Sequence, residues 1–438
     1  MKFEELNLRP ELHKAVQRMG FTEATEIQAK CIPVVLSGKD MVGQSQTGSG
    51  KTAAFGLPIL NSIETGHGVQ AIILTPTREL CVQVHDIMRQ MAQFMKIRIA
   101  SVYGGVGIGP QIDELRRAEI VVGTPGRVMD HLERRTLDLS KTKYFVLDEA
   151  DRMLEMGFID DIKLILKSVP KERQSLLFSA TMPAPIKTIV NHNFKNPVYI
   201  TGQAQVDTRL LKQLYYNLNP NEKFAVLVHL IKEKQGITLI FCATRHEVDL
   251  VTENLKKQFV KAVAIHGGLT QSKRLHVVDL IKNEKVQVLV ATDVAARGLD
   301  IRNITHVFNY DLPKTPEDYT HRIGRTARAG DAGEAITLLT HADYDNFSKI
   351  LANRSIKITR METPKYVPIK FERAQQRSNF RGPSSRGGFN RSSGTRSSDR
   401  PSSGGRFGRS DSRTSSARTG RNETTQGRQD RRARRDRR

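Results

Sequence analysis

Apolar runs of strand length recur along the chain, and each is followed by a polar cluster and an amphipathic, helix-like stretch. The runs are continuous rather than alternating, which is typical of strands that are covered on both faces. Strands that alternate with helices predict parallel sheets, so we expect two α/β domains separated by a polar break at residues 201–209. The runs before the break are DMVGQS, QAIILTPTREL, AEIVVGTPGR, YFVLDEAD and SLLFSAT, and those after it are ITLIFCATR, VKAVAIHGG, VQVLVATD, ITHVFNYD and EAITLLT.

The segment GQSQTGSGKTAAF at residues 43–55 predicts a phosphate-binding loop between a strand and a helix. Gly48 and Gly50 allow backbone N–H groups to surround an anion. Lys51 can reach the phosphates, and Thr52 can ligate Mg²⁺ at the start of the helix. Because the strict P-loop pattern has glycine where Ser45 stands, a nonfunctional glycine-rich turn is the alternative.

The run YFVLDEADRML at residues 144–154 carries three carboxylates, Asp148, Glu149 and Asp151, at its end. In open parallel sheets, ligands bind beyond the carboxyl ends of the strands. With a nucleotide in the loop, Asp148 is the candidate Mg²⁺ ligand and Glu149 the candidate base that orients the attacking water. A solvated acidic loop is the alternative, although it does not require an apolar strand before it.

The charge of the chain predicts a polyanionic partner. The 438 residues carry a net charge of +23, and residues 371–438 contain 19 Arg, no Lys and six acidic residues, which is +13 of that total. This segment consists mainly of Ser, Gly and Arg with isolated phenylalanines, and it has too little apolar mass to fold. We therefore predict a disordered tail that tethers RNA, with a solubilising tail as the alternative.

Cysteine usage and hydropathy indicate a protein of the reducing cytoplasm with no membrane partner. Cys31, Cys81 and Cys242 are far apart and show neither a disulfide framework nor zinc-ligand spacing. The first 20 residues mix charges without an apolar core, and no later run has the length of a membrane span.

Several motifs in order give the chain a resemblance to the DEAD-box ATP-dependent RNA helicases. They are PTREL at 76–80, TPGR at 124–127, DEAD at 148–151, SAT at 179–181 and HRIGRTARAG at 321–330. The resemblance spans roughly residues 3–340 and implies two RecA-like domains that bind ATP and Mg²⁺ between them. It also implies that single-stranded RNA binds across both domains. The implied partners are single-stranded and duplex RNA of any sequence.

The resemblance also implies the nucleotide contacts. The segment GFTEATEIQ at residues 20–28 is similar to the adenine-reading segment of the family, which places Gln28 on the adenine edge and Phe3 against its ring. The implied contacts from the loop are Gln46, Thr47, Gly48, Ser49, Gly50, Lys51 and Thr52.

The second domain is expected to complete the catalytic site. Arg322, Arg325 and Arg328 recur at a spacing of three, which predicts that they share one side of a helix. An ordinary basic surface is the alternative. The resemblance implies that Arg325 and Arg328 are arginine fingers. It further assigns His321 to coupling between the domains and Asp300 to the ribose.

The RNA contacts implied by the resemblance lie in the remaining loops at strand ends, and none of them reads bases. Ser179 and Thr181 are expected to relay the nucleotide state to the RNA surface, with a plain turn as the alternative. The implied RNA-binding residues are Pro76, Thr77, Arg78, Gly104, Gly105, Thr124, Arg127, His266, Gly267, Gln271, Arg274 and Thr292.

Ala24, Ser45 and Ala327 depart from the family pattern, but all three are exchanges of small residues. We expect only weak effects, since Ala24 removes a turn constraint and Ala327 adds one methyl group to a predicted helix.

We interpret the chain as an ATP-dependent RNA helicase; an ATP-gated clamp or annealing chaperone, and a basic RNA-binding scaffold with a vestigial ATPase, are the alternatives. Partners in ribosome assembly or RNA decay are suggested by resemblance only, and the oligomeric state stays open. The predicted divisions are an ATP-binding domain at 1–203, a linker at 204–210, a second RecA-like domain at 211–365 and the tail at 366–438.

Overall fold

The structure, a computed structural model, describes residues 1–45, 49–202, 211–296, 301, 303–327, 332–353 and 356–373. These residues belong to one compact unit that runs from Met1 to Gln375. Most of the predicted tail lies outside the described residues. No helix within the described ranges is long and apolar enough to cross a membrane.

Seven parallel strands form the first sheet: β1 Met41–Gln44, β2 Ala71–Leu74, β3 Ile99–Val102, β4 Ile120–Gly123, β5 Tyr144–Asp148, β6 Gln174–Ser179 and β7 Val198–Thr201. Their order across the sheet is β3-β4-β2-β5-β6-β1-β7. The accompanying helices are α1 Pro10–Arg18, α2 Glu26–Leu36, α3 Lys51–Ser62, α4 Arg78–Met91, α5 Ile108–Leu115, α6 Pro125–Glu133, α7 Ala150–Glu155, α8 Ile159–Ser168 and α9 Ala184–Asn193.

Seven further parallel strands form the second sheet: β8 Leu211–Asn217, β9 Ile237–Phe241, β10 Ala262–Ile265, β11 Val288–Ala291, β12 Ile304–Asn309, β13 Gly333–Leu339 and β14 Thr359–Met361. Their order is β10-β11-β9-β12-β13-β8-β14. The accompanying helices are α10 Lys223–Glu233, α11 Arg245–Lys257, α12 Gln271–Lys282, α13 Asp293–Ala296, α14 Pro316–Ile323 and α15 Tyr344–Leu351.

The two sheets repeat one topology. The strand order of the second sheet is the order of the first with every strand number increased by seven. Thus β1, β2 and β5 of the first sheet correspond to β8, β9 and β12 of the second. This correspondence allows the loops at the carboxyl edges of the two sheets to be compared position by position.

The central strands are buried on both faces, as their continuous apolar runs predict. Every residue of β2, β4, β6, β9 and β11 is buried. In β2, Ala71 and Ile73 pack into one hydrophobic cluster, whereas Ile72 and Leu74 pack into another. Because neighbouring residues of a strand point to opposite faces, each sheet face packs against its own layer of helices. The prediction of two α/β domains with parallel sheets is confirmed.

A C-terminal strap, which we define as residues 362–373, follows β14 and packs on the second sheet's helices. The rings of Phe371 and Phe224 lie 5.0 Å apart. The backbone N–H of Glu372 donates to Asn254 Oδ1 at 3.0 Å, and Asn254 Nδ2 donates back to the Glu372 carbonyl at 2.9 Å. These contacts extend beyond residue 365, where the sequence predicts that the second domain ends.

Candidate active site and nucleic-acid interface

The loop after β1 leads directly into α3, which begins at Lys51. Gly50 precedes the helix with φ +90°, and a Cβ added there would lie 2.5 Å from Gln28 Nε2. This position therefore requires glycine for both its backbone angle and its close packing. The buried Lys51 ammonium donates to the Ser45 carbonyl at 3.3 Å, and the hydroxyls of Ser45 and Ser49 are 3.0 Å apart.

Gln28 and Thr25 fasten the first turn of α2 to this loop. Gln28 Nε2 donates to the Gly50 carbonyl at 3.1 Å, and its Oε1 accepts from the Thr25 backbone N–H at 2.9 Å. The Thr25 hydroxyl donates to the Ser49 carbonyl at 3.0 Å. Beside these described contacts, Oε1 of Gln28 can accept and Nε2 can donate one further hydrogen bond. Contact with an adenine edge stays a prediction.

Phe3 is buried, and its ring stacks on the ring of Phe21 with centroids 5.9 Å apart. Both aromatic residues therefore lie in the same N-terminal layer as the segment that contains Gln28. The aromatic partner that the structure gives to Phe3 is Phe21, and stacking of Phe3 on a base stays a prediction.

Two carboxylates stand at the end of β5. Burial raises the pKa of Asp148 to about 6, although nearby Lys51 opposes the shift. Asp148 Oδ1 is buried and has no hydrogen-bond partner within the described part of the chain. Glu149 has left-handed backbone angles, φ 55° and ψ 54°, and forms the N-cap of α7. A buried, unsatisfied oxygen and a strained neighbour are typical of groups held for function.

We expect Asp148→Asn to stabilise the nucleotide-free protein at pH 7.5 by about 1–3 kcal/mol, because a pKa raised by roughly two units is worth that much. The raised pKa lets the folded wild-type chain keep a proton that the unfolded chain loses above about pH 4, so this contribution to wild-type stability is fully present below about pH 4 and is lost as the pH rises through 6. The stability gain of Asp148→Asn over wild type is therefore absent below about pH 4 and fully developed above pH 6. Urea denaturation in EDTA at pH 5 and pH 7.5 measures the effect. The exposed Asp160→Asn is the control, and an Asp148→Asn protein no more stable than wild type at pH 7.5 would contradict the expectation.

The fourth residue of the acidic segment, Asp151, ties α7 to the turn after β6. Its Oδ2 accepts hydrogen bonds from the backbone N–H groups of Ala180 and Thr181 at 3.1 and 2.8 Å, and from the Thr181 hydroxyl at 3.1 Å. The Ser179 hydroxyl accepts from the Asp151 N–H at 3.0 Å. This role of Asp151 was not predicted, because only the fold brings these segments together.

One cleft contains groups from both sheets. Lys51 and Glu149 of the first sheet line it together with His321 and Arg325 of the second, and Asp151 and Thr181 lie in the same lining. Arg325 is buried. The cleft therefore places cations from both sheets near the carboxylates, an arrangement suited to a polyphosphate.

The prediction that three arginines share one side of a helix is wrong. Helix α14 ends at Ile323 with Gly324 as its C-cap, so Arg325 lies in the following turn. Arg322 instead points into the second domain, where Nε and Nη2 bind Asp293 at 2.6 and 2.7 Å and the guanidinium covers the ring of Phe241. Arg322 is thus a structural residue that fixes the start of this turn.

Ala327 also lies beyond the helix, contrary to prediction. Its φ is +53°, in the left-handed region that favours glycine. The methyl group is buried in a cluster that includes Ile323 and Phe347. The exchange of glycine for alanine at this position therefore acts on the backbone of the turn rather than on helix propensity.

The second sheet has a lysine at the position that corresponds to Lys51. Lys223 begins α10, which follows β8 as α3 follows β1. Its ammonium contacts Asp311 Oδ1 at 3.0 Å and lies 4.5 Å from the centroid of the Tyr310 ring. The lysine of the second sheet is therefore neutralised by the protein itself.

A second cleft is formed by loops from both sheets, and it collects most of the residues predicted to bind RNA. Its lining also includes Glu79, Met156 and Phe158 of the first sheet and Val294 of the second. The predicted RNA-binding residues in this lining are Pro76, Thr77, Arg78, Gly104, Thr124, Arg127, Gly267 and Arg274.

Among the other predicted RNA contacts, Gly105 follows Gly104 and has φ +81°. His266 is buried, and its Nε2 lies 3.0 Å from Asp249 Oδ1. The backbone N–H of Thr292 donates to the Ile265 carbonyl at 3.4 Å. These contacts orient the loops but do not test whether the residues bind RNA.

Glu79 joins the two sheets at this second cleft. Its Oε2 lies 2.9 Å from Arg274 Nη2, and its Oε1 accepts from Gln271 Nε2 at 2.9 Å. All three residues are largely buried. Gln271 and Arg274 were predicted to bind RNA; in the structure both contact Glu79 of the first domain, and RNA binding by them stays a prediction. Glu79 was missed, because its partners lie almost two hundred residues away in the sequence.

The repeated topology indicates Arg245 as a further candidate RNA-binding residue. Arg78 begins α4 and packs on Gly104, where an added Cβ would lie 3.4 Å from its Nη2. Arg245 begins α11 and packs on Gly267 in the same way, at 3.3 Å. The repeated dipeptide Thr-Arg in PTREL and ATRHE was the available sequence signal. Four predicted nucleotide-binding residues and one finger lie outside the described residues: Gln46, Thr47, Gly48, Asp300 and Arg328.

Two parallel sheets of one topology, with Lys51 after the first strand of the first and Arg325 of the second lining the same cleft, define a two-domain nucleotide-dependent motor. The DEAD/DEAH box helicase model matches residues 25–189, and the helicase conserved C-terminal domain matches residues 222–330.

Curated relatives agree with this class. The chain is 51% identical to the ATP-dependent RNA helicase CshA of Listeria monocytogenes over 77% of this chain and 66% of that protein. It is 46% identical to the DEAD-box ATP-dependent RNA helicase CshA of Bacillus licheniformis over 83% and 75%. The match thus spans about two thirds to three quarters of these relatives.

A solved structure is similar over both sheets. The S. cerevisiae protein Dbp5 bound to RNA and ADP BeF3 shares 35% identity with a TM-score of 0.75, covering 83% of this chain and 96% of that one. The chain belongs to the DEAD-box ATP-dependent RNA helicases, which hydrolyse ATP. The predicted family and its two RecA-like domains are confirmed.

Proposed function

We propose that this chain hydrolyses ATP between its two sheets and uses closure of that cleft to separate or remodel short RNA duplexes. The observation that carries the proposal is the single cleft lined by Lys51 and Glu149 from one sheet and by His321 and Arg325 from the other. A site divided between two domains is complete only when they close, so nucleotide binding and domain closure are coupled.

Each group in this cleft has a proposed chemical role. Lys51 binds the β and γ phosphates, and Glu149 orients the attacking water. Arg325 neutralises the charge that develops on the transferred phosphoryl group, with His321 linking the two domains. Gln28 selects adenine, because a site built for one donor pattern leaves unpaired groups with another base. Phe3 packs against the adenine ring. The remaining proposed nucleotide contacts are Gln46, Thr47, Gly48, Ser49, Gly50, Thr52, Asp300 and Arg328.

The residues present fit a Mg²⁺ ion that accompanies ATP. The buried, unpartnered Asp148 Oδ1 suits a cation, and Thr52 lies in the first turn of α3. No group of three or more His, Cys, Asp or Glu side chains could hold a metal among the described residues, which suits an ion held mainly by phosphates. When bound, Mg²⁺ neutralises charge on the β and γ phosphates.

RNA is proposed to lie along the second cleft, held by its sugar-phosphate backbone. Arg78 and Arg127 supply guanidinium donors, and the small Gly104 and Gly267 allow close approach of a phosphate to the chain. Asp151, bonded to the turn at Ser179–Thr181, is proposed to carry the nucleotide state toward this surface. Contacts to the backbone alone imply binding without sequence preference.

A strand-displacement assay with and without ATP tests this function. The helicase should release a labelled strand from a short RNA duplex only with ATP. An ATP-gated clamp would bind RNA in the presence of ATP without releasing the strand, and a scaffold with a vestigial ATPase would bind RNA equally under both conditions. Either outcome would count against the proposal.

The basic C-terminal segment is proposed to strengthen RNA binding without taking part in chemistry. Because Phe371 and Glu372 pack on the second domain, the informative deletion removes residues 374–438 and keeps the strap. We expect weaker RNA affinity, with a salt slope reduced by somewhat under one unit for each lost arginine–phosphate contact. The maximal ATPase rate at saturating RNA should stay near that of the full chain. An unchanged salt slope, or loss of maximal turnover in a folded protein, would contradict this role.

The remaining assignments are also proposals. The first domain is proposed to span residues 1–203 and the second residues 211–365, joined by a linker at 204–210, with the strap packed on the second domain. The three buried, unpaired cysteines suit a reducing cytoplasm. RNA is the one partner class that the site chemistry supports.

A further inference from the structure

Gln111 is buried between two elements that line the second cleft. It lies in the first turn of α5, and its side-chain amide makes three hydrogen bonds. Nε2 donates to the Tyr103 carbonyl at 3.0 Å. Oε1 accepts from Arg127 Nη1 at 3.1 Å and from His131 Nε2 at 3.2 Å. One amide thus connects the loop after β3 with α6.

His131 is the second partner of the Gln111 oxygen, whose orientation is set by the Arg127 donor and the Tyr103 carbonyl. The ring is fully buried, and burial together with the Arg127 charge lowers the pKa of His131, so the imidazole is neutral at pH 7. Because Gln111 Oε1 can only accept, Nε2 of the ring carries the proton. Nδ1 then accepts from the Thr136 hydroxyl at 2.9 Å. A flipped Gln111 amide would turn its NH₂ group toward the Arg127 donor and its oxygen toward the Tyr103 carbonyl, which is unfavourable.

Arg127 is held so that part of its guanidinium stays available to donate to an RNA phosphate. Nη1 binds Gln111, Nη2 donates to the Val106 carbonyl at 3.2 Å, and Nε faces Asp130 at 3.5 Å. Two of the five N–H groups thus donate hydrogen bonds to these described residues and Nε forms an ion pair, so the guanidinium keeps donor capacity for a phosphate. The Tyr103 and Val106 carbonyls flank Gly104 and Gly105, so the same network fixes both ends of the glycine loop.

We propose that Gln111 is a positioning residue for RNA binding that sets Arg127 and the Gly104–Gly105 loop in one geometry. Gln111 is only 5% exposed and acts through its neighbours rather than by touching RNA. The inference rests on the proposed RNA-binding role of Arg127. Preorganisation of this kind lowers the ordering cost of binding a phosphate.

A double-mutant cycle in the full chain tests the proposal. The variants are Gln111→Met, Arg127→Ala and both together, and the probe is a fluorescent single-stranded oligouridine with a saturating non-hydrolysable ATP analogue. Arg127→Ala should lower RNA affinity on the order of 10- to 100-fold, the scale of hydrogen bonds to charged groups. Gln111→Met should lower it roughly tenfold, and the double variant should lie within about twofold of Arg127→Ala alone. Affinity for the ATP analogue should not change.

The control is Gln174→Met, which removes another buried glutamine of the same sheet. Gln174 Nε2 donates to the Val35 and Lys39 carbonyls at the opposite edge, so this variant should lose stability while keeping RNA affinity. Should Gln111→Met fail to fold, His131→Asn enters the same cycle with an expected loss of roughly 2- to 10-fold, the scale of a neutral hydrogen bond.

The other outcomes of the cycle would contradict the proposal. Wild-type affinity in Gln111→Met, losses that multiply in the double variant, or an equal loss in Gln174→Met would overturn the positioning role alone. Unchanged affinity in Arg127→Ala would overturn both this role and the proposed RNA contact of Arg127.

Discussion

Arg325→Ala is expected to reduce RNA-stimulated ATP turnover on the order of a thousandfold or more, the scale measured for arginine fingers. The physical reason is that Arg325 reaches the cleft from the second sheet and faces the groups of the first. A guanidinium there stabilises charge that exists fully only in the transition state, so the loss should appear in the maximal rate more than in ATP affinity. Steady-state phosphate release at saturating RNA and ATP measures it.

The matched control is Arg360→Ala, which removes an exposed arginine from the edge strand β14 of the same sheet. This variant should turn over ATP at the wild-type rate. If Arg325→Ala lost RNA affinity while its maximal turnover persisted, the residue would belong to the RNA surface and the finger assignment would be wrong.

Lys51→Ala and Glu149→Gln are expected to separate ATP binding from ATP hydrolysis. Lys51→Ala removes the buried ammonium that is proposed to bind the phosphates, and it should abolish productive ATP binding. Glu149→Gln keeps the size of the side chain and removes only its charge. It should hold ATP and RNA while hydrolysis falls on the order of 10²- to 10⁴-fold, the range for a positioned base.

Equilibrium binding of a fluorescent ATP analogue, with and without RNA, and single-turnover hydrolysis distinguish the two defects. Glu172→Gln, an exposed carboxylate paired with Lys195, serves as the control and should behave as wild type. Turnover at the wild-type rate in Glu149→Gln would contradict the role of Glu149 as the base.

The pattern of apolar runs predicts the central strands but not every strand of the two sheets. Ten runs correspond to strands in the structure, whereas β3, β7, β8 and β14 were not predicted. Three of these four lie at sheet edges, and all four include partly or fully exposed residues. A strand that is covered on one face only does not need a continuous apolar sequence, so its signal is weaker.

The sequence predicts the positions of those site residues that end a strand or begin the helix after it. Asp148 and Glu149 end β5, and Lys51 begins a helix, so their positions follow from local structure. The pairing of Glu79 with Arg274, and that of Asp151 with Thr181, depends on how separate segments pack. The helix expected to carry Arg325 ends at Ile323, since residue spacing does not report where a helix stops.

The salt bridge between Lys223 and Asp311 bears on how many ATP molecules one chain can bind. The chain has two sheets of the same topology, and each has a lysine at the start of the helix that follows its β1-type strand. Only Lys51 faces the shared cleft, because Lys223 is already paired with a carboxylate 3.0 Å away and covers the Tyr310 ring. The repeated architecture thus offers a single anchor for a triphosphate. We therefore expect each chain to bind one ATP between its two sheets.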